Sequence, residues 1–441
     1  MSSSPFVPQS KYTLQQPAWS RDAVIYQINT RQYSLAGTFE AVTADLQRIK
    51  ALGADIIWLM PIHPIGEKNK KGELGSPYAV KDYYGVNPEF GNDADLHALV
   101  KKAHSLDLKV ILDWVPNHSA WDCNLVTQHP DWYAKDYKGD FRPSPWWDWD
   151  DIIEFDYDNP ELRQYMIDAM CYWVKRFDID GFRCDVAGYV PNDFWSQLRP
   201  ALEAIKPVFM LAEWENRDLH EDAFNMTYAW SWHETLVGIA EGTLALDKLR
   251  KYYSWNERAW PASAYRMTFV TNHDMNAWDG TQHELFGELL NAVIVLSVIG
   301  EGMPLIHNGQ EAGDSKRLAF FERDPIDWET HEIGELYTQL IAVKKRIPAL
   351  HNGPFGATMI QLPNNNMDQV FSFTRTQGAS KVVVILNLSH QPAAVTLDSP
   401  LWPGHYTDLI TNQPYVADTV SELTLDAGEF RLLEQKASDH Q

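Results

Sequence analysis

Residues 24–60 read VIYQINTRQYSLAGTFEAVTADLQRIKALGADIIWLM. Positions 24–28 and 56–60 of this stretch are short apolar runs, which are typical of buried strands. Between them, Thr38 is a preferred helix N-cap and Gly53 a preferred terminator. Apolar residues stand at helical spacing between these two signals, at Phe39, Val42, Leu46, Ile49 and Leu52. The stretch therefore predicts a strand, a helix and a second, parallel strand, which together form one β/α unit.

The same alternation of apolar runs and helical patterns continues along the chain. Six more apolar runs cover residues 110–112, 181–186, 208–212, 226–230, 267–271 and 304–307. One helical pattern predicts an apolar helix over 285–299 that ends at Gly300. Eight strands with helices between them predict an α/β protein built as a (β/α)8 TIM barrel. Residues 119–158, after the third predicted strand, are loop-like and rich in Trp, so we interpret them as a short inserted domain.

The chain changes character after Pro354. Five runs with strand character, joined by short turns, cover residues 370–376, 381–388, 394–397, 406–410 and 430–434. They predict a C-terminal antiparallel β-sandwich. The predicted domains are the first part of the barrel (1–118), the inserted loop-rich domain (119–158), the second part of the barrel (159–353) and the β-sandwich (354–441).

The composition excludes several classes of protein. The 441 residues are 45% apolar and 22% charged, values that rule out intrinsic disorder and fibrous repeats. The formal net charge of −23 would repel phosphates, so we expect no nucleic-acid partner and interpret the acidity as a solvated surface. The chain has 18 Trp, several of them in polar stretches such as 145–149. A neutral ligand that stacks on rings, such as a sugar, would suit them.

The sequence also bears on redox chemistry, membranes and location. Three cysteines without a CxxC pair indicate neither a disulfide framework nor a thiolate zinc site. We expect no membrane span, because no stretch of about 18 consecutive apolar residues occurs. The N-terminus lacks the basic and apolar regions of a signal peptide. A complete chain would be cytoplasmic, and a chain whose leader was removed would be periplasmic or extracellular.

Polar side chains follow four of the predicted barrel strands. They are Asp113, Asn117 and His118 at the third strand, Arg183 and Asp185 at the fourth, Glu213 at the fifth, and His273 and Asp274 at the seventh. In a TIM barrel these strand ends meet at one face, where active sites lie. Because side chains alternate along a strand, Arg183 and Asp185 point the same way, and Arg183 would keep Asp185 ionised.

Three carboxylates at a barrel mouth predict either a metal site or glycoside hydrolysis. Retaining glycosidases pair an ionised carboxylate nucleophile with a protonated carboxyl, roughly 5–5.5 Å apart. A third carboxylate can bind the hydroxyls of the reacting sugar. A metal site would need a denser set of ligands than these strand ends supply, so we favour hydrolysis.

The motifs resemble those of the α-amylase family, glycoside hydrolase family 13, over nearly the whole chain. DWVPNH at 113–118 is similar to the first of the family's four regions, GFRCD at 181–185 to the second, Glu213 to the third and FVTNHD at 269–274 to the fourth. FDYDN at 155–159 resembles a further region at the end of the inserted domain. The four regions stand in the family's order on the corresponding predicted strands.

The resemblance implies the chemistry of the three carboxylates. Asp185 would be the nucleophile, Glu213 the general acid/base, and Asp274 the group that holds the 2- and 3-hydroxyls of the sugar. Glu213 would protonate the glycosidic oxygen while Asp185 attacks the anomeric carbon to give a covalent glycosyl-enzyme. Water activated by Glu213 would then release the product with retention.

The resemblance also implies the residues that bind the sugar. His118 and His273 would bind its hydroxyls, Arg183 would orient Asp185, and Tyr78 would stack beneath its ring. Trp146, Trp147 and Trp149 would either line outer glucose subsites or pack within the inserted domain.

Calcium is an expectation that rests on one residue. Asn117 stands where the family has a calcium ligand, so the resemblance implies a structural calcium ion that the chemistry itself does not require. The chain departs from the family at Gly188 and Tyr189, where many amylases have a Lys-His pair. The acidic calcium loop of some members is also missing, because residues 31–37 contain no carboxylate.

The main hypothesis is a retaining α-amylase that cleaves α-1,4 bonds inside starch and malto-oligosaccharides. An alternative within the family is an exo-acting malto-oligosaccharide or cyclodextrin hydrolase, or a transglycosylase. A non-catalytic carbohydrate-binding relative is the remote alternative, because such proteins lose the carboxylates that this chain keeps. The sequence does not indicate an oligomeric state.

Overall fold

The computed structural model describes residues 13–144, 146–418 and 421–435. The N-terminal residues on which the expectation about a leader depends lie outside this range, and so does Pro145 of the Trp-rich stretch.

A closed parallel barrel forms the larger part of the molecule. In chain order, the strands of this part are β1 (Ile25–Ile28), β2 (Ile56–Leu59), β3 (Lys109–Trp114), β4 (His118–Ala120), β5 (Ile152–Glu154), β6 (Gly181–Cys184), β7 (Phe209–Ala212), β8 (Met226–Tyr228), β9 (Tyr265–Phe269) and β10 (Met303–His307). Around the barrel they follow the order β1-β10-β9-β8-β7-β6-β3-β2, with β4 and β5 apart as an antiparallel pair. The prediction of a TIM barrel is confirmed.

Helices surround the barrel and cover its strands, except for α4 (Asn124–Gln128), which belongs to the inserted segment. They are α1 (Thr30–Tyr33), α2 (Phe39–Leu52), α3 (Asp93–Ser105), α4 (Asn124–Gln128), α5 (Pro160–Phe177), α6 (Asn192–Glu203), α7 (Trp230–Ala240), α8 (Asp247–Ala259), α9 (Gln282–Phe286), α10 (Leu290–Ile299) and α11 (Glu332–Arg346). The ends of α2 follow from its sequence. The Thr38 side chain accepts a hydrogen bond from the Ala41 N–H, and Gly53 ends the helix with a φ of 110°.

The apolar helix predicted over 285–299 is divided in the structure. α9 ends at Phe286, Gly287 has a φ of 49°, and α10 begins at Leu290. Glycine adopts this left-handed conformation without the steric cost that other residues meet, so it permits the break. Residues 282–299 are long and apolar enough to cross a membrane by length and composition alone. Because 67% of this stretch is buried inside the fold, it is explained as core helix.

The inserted segment after β3 contains little regular structure. β4 pairs with β5 through Ser119 and Ile153, and α4 lies between them in sequence. β4 begins at His118, so regular structure crosses the predicted junction at 118/119. The four predicted domain ranges remain predictions.

The C-terminal part is an antiparallel structure in two layers. Its strands are β11 (Ile360–Gln361), β12 (Val370–Gln377), β13 (Ser380–Asn387), β14 (Ala393–Thr396), β15 (Gly404–Asp408), β16 (Pro414–Ala417), β17 (Glu422–Leu425) and β18 (Phe430–Gln435). Six of them form the sheet β11-β12-β13-β18-β15-β16, and β14 pairs with β17 in a second layer. Val383 and Leu433 of the first layer share a core with Val395 and Leu425 of the second. The predicted sandwich is confirmed, and β11, β16 and β17 were not predicted.

Candidate active site

The register of the barrel strands brings charged residues to one mouth. Asp113 on β3 is paired with Arg183 on β6, and the Asp185 N–H donates to the Trp114 carbonyl at 2.8 Å. The Glu213 N–H donates to the Cys184 carbonyl at 3.0 Å, just beyond β6 and β7. Asp185 and Glu213 therefore leave adjacent strands at the same level.

The Arg183 guanidinium is the centre of this cluster. It is fully buried, and its Nη1 donates to Asp113 at 2.8 Å and to Asp185 at 3.0 Å. Its Nη2 lies 3.0 Å from Oε2 of Glu213. A buried cation is costly unless it is paired, and here three carboxylates surround one guanidinium. The arrangement holds Asp185 and Glu213 close together.

Burial raises the pKa values of these carboxyl groups. It raises the pKa of Asp185 to about 7, although the Arg183 guanidinium lowers it. Burial and the charge of Asp185 together raise the pKa of Glu213. Two close carboxyls cannot both ionise freely in such a site, so the pair favours one carboxylate and one carboxylic acid. The direct hydrogen bond from Arg183 makes Asp185 the better carboxylate.

The backbone after β6 is strained where it meets Glu213. Val186 has a φ of 37°, in the left-handed region that β-branched residues rarely adopt. Its N–H donates to Oε2 of Glu213 at 2.7 Å. Strain of this kind is typical of functional sites, and here it fixes the orientation of one of the two carboxyls.

A chain of hydrogen bonds connects the remaining predicted site residues. The Tyr78 hydroxyl donates to Asp113 at 3.0 Å and lies 2.8 Å from Nε2 of His273. Gln27 Nε2 lies 2.7 Å from Nδ1 of His273, and Nε2 of His273 lies 3.2 Å from Asp274. Burial holds the pKa of His273 well below its usual value. A neutral His273 can therefore face Asp274 with its Nε2 proton.

Tyr78, His118 and Asp274 complete the mouth. The Tyr78 ring stacks on His273 with 5.5 Å between ring centroids. Nε2 of His118 lies 3.8 Å from Asp185, and burial lowers the pKa of His118 to about 4. Burial and the charge of Glu213 raise the pKa of Asp274. The structure thus brings together all seven residues that the sequence singled out for catalysis and sugar binding.

Asn117 lies beside His118 and against the end of the inserted segment. Its side-chain Nδ2 lies 3.2 Å from Nδ1 of His118, and its backbone carbonyl accepts the Phe155 N–H at 2.9 Å. Calcium takes six to eight oxygen ligands, which are carboxylates, backbone or amide carbonyls, and waters. Across 13–144, 146–418 and 421–435, no group of three or more His, Cys, Asp or Glu side chains is arranged to hold a metal. The calcium ion that the resemblance implies stays a prediction.

A cavity of about 440 Å³ opens over the carboxylates. Its lining includes Lys71, Tyr78, His118, Asp148, Trp149, Asp185, Val186, Glu213, His273, Asp274, Trp278, Phe320 and Phe321. Trp149 lines the cavity, whereas Trp147 stacks on Trp149 with 5.7 Å between ring centroids and is half-exposed. The sequence did not single out Lys71, Trp278 or the phenylalanines, because they stand in loops without periodicity. The sequence signal that could have found them is their position in loops that follow predicted barrel strands, because these loops surround the mouth.

A larger cavity of about 880 Å³ lies beside α2 and α11. Its charged residues Arg48 and Glu311 are paired with each other at 2.9 Å. Arg48 also pairs with the Asp45 carboxylate at 2.8 Å, but the Arg48 and Asp45 side chains are 39% and 32% exposed, whereas the Arg183 guanidinium is fully buried. The smaller cavity, whose shared cation is withdrawn from solvent, is therefore the candidate active site.

Family models match most of the chain. Residues 21–334 match the model described as alpha amylase, catalytic domain, and residues 359–432 match that of maltogenic amylase, C-terminal domain. The chain belongs to the α-amylase family, glycoside hydrolase family 13. It is therefore a glycoside hydrolase of the α-amylase type.

Individual relatives agree with this assignment. The alpha-amylase MalA of Haloarcula japonica is 27% identical over 446 residues, which cover 94% of this chain and 64% of the relative. The maltogenic alpha-amylase of Bacillus acidopullulyticus is 25% identical, with 98% of this chain and 80% of the relative covered. The crystal structure of a maltogenic alpha-amylase, AmyB from Thermotoga neapolitana, is 32% identical with a TM-score of 0.86, covering 94% of this chain and 99% of that one.

Proposed function

We propose that the protein is a retaining α-glucan hydrolase that acts at chain ends and releases short malto-oligosaccharides. The observation that carries the proposal is the pair of carboxyls, Asp185 and Glu213, on one buried guanidinium at the base of a compact cavity. Two of the relatives above are named maltogenic. These names support chain-end action better than the cleavage inside long chains that the sequence favoured.

In the proposed reaction Glu213 acts on the oxygen of the glycosidic bond, and Asp185 acts on the anomeric carbon. Glu213 gives its proton to the glycosidic oxygen, and the bond from that oxygen to the anomeric carbon breaks. Asp185 attacks the anomeric carbon and forms an ester with the sugar. Glu213, now a carboxylate, takes a proton from water, whose oxygen displaces Asp185 and restores both groups. The close spacing favours this retaining course, because inversion needs room for a water molecule between the carboxyls.

The other lining residues would hold the sugar in the cavity. Asp274, His118 and His273 can bind hydroxyls, and the Tyr78 ring can stack against the sugar face. Asp113 contacts no cavity surface and instead holds Arg183 and Tyr78 in position. The carboxylates in this site would need no metal or organic cofactor.

Product analysis tests the proposal. We expect a single short product to dominate from the first time points on maltoheptaose and starch, because the cavity has room for few sugars. Asp185→Asn should lower kcat by about three orders of magnitude or more, since no nucleophile remains. Asp193→Asn, which changes an exposed carboxylate at the start of α6, is the matched control and should keep full activity.

Four results would contradict the proposal. Near-normal turnover by the folded Asp185→Asn variant would overturn the mechanism. Fragments of many lengths at early times would instead favour cleavage inside chains, and products longer than the substrate would favour transglycosylation. Hydrolysis of a cyclodextrin, which has no chain end, would favour the cyclodextrin hydrolase alternative.

A further inference from the structure

Lys71 is one of several contacts between the loop after β2 and the inserted segment, and it is the one that reaches residues 148–150. Elsewhere the Glu67 N–H donates to the Asp122 carboxylate at 3.1 Å, and the Lys81 ammonium lies 3.3 Å from the same carboxylate. Lys71 Nζ donates a hydrogen bond to the Asp148 backbone carbonyl. The same ammonium lies 3.6 Å from the Asp148 carboxylate and 3.4 Å from the Asp150 carboxylate. The Lys71 side chain is 22% exposed, whereas that of Asp148 is 96% exposed. Lys71 therefore draws an otherwise solvent-exposed stretch of the inserted segment against the loop after β2.

The next residues of this loop are attached to the loop after β10. The Glu73 N–H donates to the Glu322 carboxylate at 2.7 Å, and the Leu74 N–H donates to the Phe321 carbonyl at 3.2 Å. Gly72 has a φ of 64°, and a Cβ on it would lie 2.5 Å from Cβ of Phe321. The glycine thus permits a close approach of the two loops. The loop after β2, the loop after β10 and residues 148–150 of the inserted segment together form one wall. Lys71 is the residue that holds the inserted segment against the other two loops.

This wall stands across the cavity from the general acid. Glu213 follows β7, and in the closed barrel β7 is diametrically opposite β1, which β2 and β10 flank. The cavity lining includes Lys71, Asp148 and Phe321 from the wall. Glu213 protonates the oxygen of the leaving group, so the leaving chain extends on its side of the cavity. The sugars on the other side of the cleaved bond, which end in the non-reducing terminus, therefore face the wall.

We propose that Lys71 closes the cavity opposite Glu213 by holding residues 148–150 of the inserted segment against the loop after β2, and that it thereby restricts cleavage to the non-reducing ends of α-glucan chains. The inference rests on the proposed function and names the residue that sets its specificity. Lys71 touches no reacting atom. It limits how many sugars fit between the nucleophile and the wall.

The test compares two maltoheptaosides that differ at one end. Both carry a 4-nitrophenyl group at the reducing end, and one is blocked at the non-reducing end by a 4,6-O-ethylidene group. We expect the wild-type protein to hydrolyse the free substrate and to exclude the blocked one. Lys71→Ala should raise the ratio of blocked to free turnover by about tenfold or more, since loss of the ammonium releases residues 148–150 and opens this part of the wall. Its products from maltoheptaose should spread over several lengths.

Lys70→Ala is the matched control. Lys70 is the preceding residue, pairs with Glu67 at 2.7 Å and does not line the cavity. This variant should keep the wild-type ratio and product. Lys71→Met serves as a second variant, because it keeps the aliphatic stem and loses the ammonium. The ratio is measured within each variant, so a general loss of activity or stability does not change it.

The outcomes separate this inference from the proposed function. Wild-type protein that cleaves both substrates equally would refute chain-end action itself. If the wild-type protein excludes the blocked substrate and both lysine variants also exclude it with an unchanged product, the role of Lys71 is overturned while chain-end action stands. Where Lys71→Ala does not fold, the ratio for Lys71→Met decides.

Discussion

Arg183 is the residue on which the site depends most. A fully buried guanidinium is tolerated because Asp113 and Asp185 accept its hydrogen bonds and Glu213 lies beside it. The carboxyls in turn carry raised pKa values, since burial outweighs the attraction of the cation. Burial of these carboxyls therefore lowers the stability of the folded chain. It also keeps a carboxylic acid available near neutral pH.

Because burial of the Glu213 carboxyl lowers the stability of the folded protein, we expect Glu213→Gln to raise it. The ordinary pKa of the glutamate is 4.5, and burial raises it in the folded protein. The folded protein keeps a proton that the unfolded chain releases, so the carboxyl is destabilising above pH 4.5 and fully so above its folded pKa. We expect Glu213→Gln to melt a few degrees above wild type at about pH 8 and at the wild-type temperature at about pH 4.

Glu241→Gln, at an exposed glutamate after α7, is the control and should change neither melt. Thermal melts of the three proteins at both pH values measure the effect. A Glu213→Gln variant less stable than wild type at about pH 8 would show that the attraction of Arg183 outweighs burial.

At the scale of elements, β6 positions Arg183 and Asp185. It begins at Gly181, where φ is 149° and a Cβ would lie 1.8 Å from the Phe209 carbonyl oxygen of β7. Only glycine allows the two strands to approach so closely at this point. A shift of β6 would move Arg183 and Asp185 together.

We therefore expect Gly181→Ala to lose about 3 kcal/mol or more of unfolding free energy, and most of its activity, because backbone must move to admit the methyl group. Gly139→Ala is the control, since Gly139 has a φ of 86° and no heavy atom within 4 Å of the added Cβ. Gly139→Ala should lose only about 1 kcal/mol of unfolding free energy, because alanine adopts a positive φ less readily than glycine. Urea unfolding measures both, and equal losses would show that the contact with Phe209 is unimportant.

At the scale of the whole molecule, a second buried arginine joins the C-terminal sheet to the barrel. Arg375 on β12 donates hydrogen bonds to backbone carbonyls of the barrel part and of the connection that follows it. The acceptors are the carbonyls of Ile299, Gly300, Leu350, His351 and Ala357. Phe371 and Val384 of the same sheet belong to the core that surrounds the barrel. The two parts thus share one interface.

We expect Arg375→Met to lower the unfolding free energy by about 3 kcal/mol or more, because it leaves several buried carbonyls without a donor. Arg431→Met, at a half-buried arginine that pairs with Glu429, is the control and should cost less than about 1 kcal/mol. Calorimetry measures both. A melting temperature of Arg375→Met equal to that of wild type would show that apolar packing alone holds the interface.

The sequence alone determined the class of the fold and predicted the residues that meet at the mouth. The β/α period at 24–60 and the carboxylates after four predicted strands are local patterns, and the barrel then brings strand ends together. Local patterns also predicted the ends of α2, since Thr38 and Gly53 act within one helical turn.

Only the tertiary structure decided which partners these residues meet. The pairing of Arg183 with Asp113 depends on the register of β3 and β6, which are 70 residues apart in the chain at this contact. The contact of Lys71 with Asp148 joins loops that have no periodicity, and the break at Gly287 interrupts an otherwise continuous apolar pattern. Such contacts form when the barrel closes, because closure fixes distances between segments that sequence neighbours cannot specify.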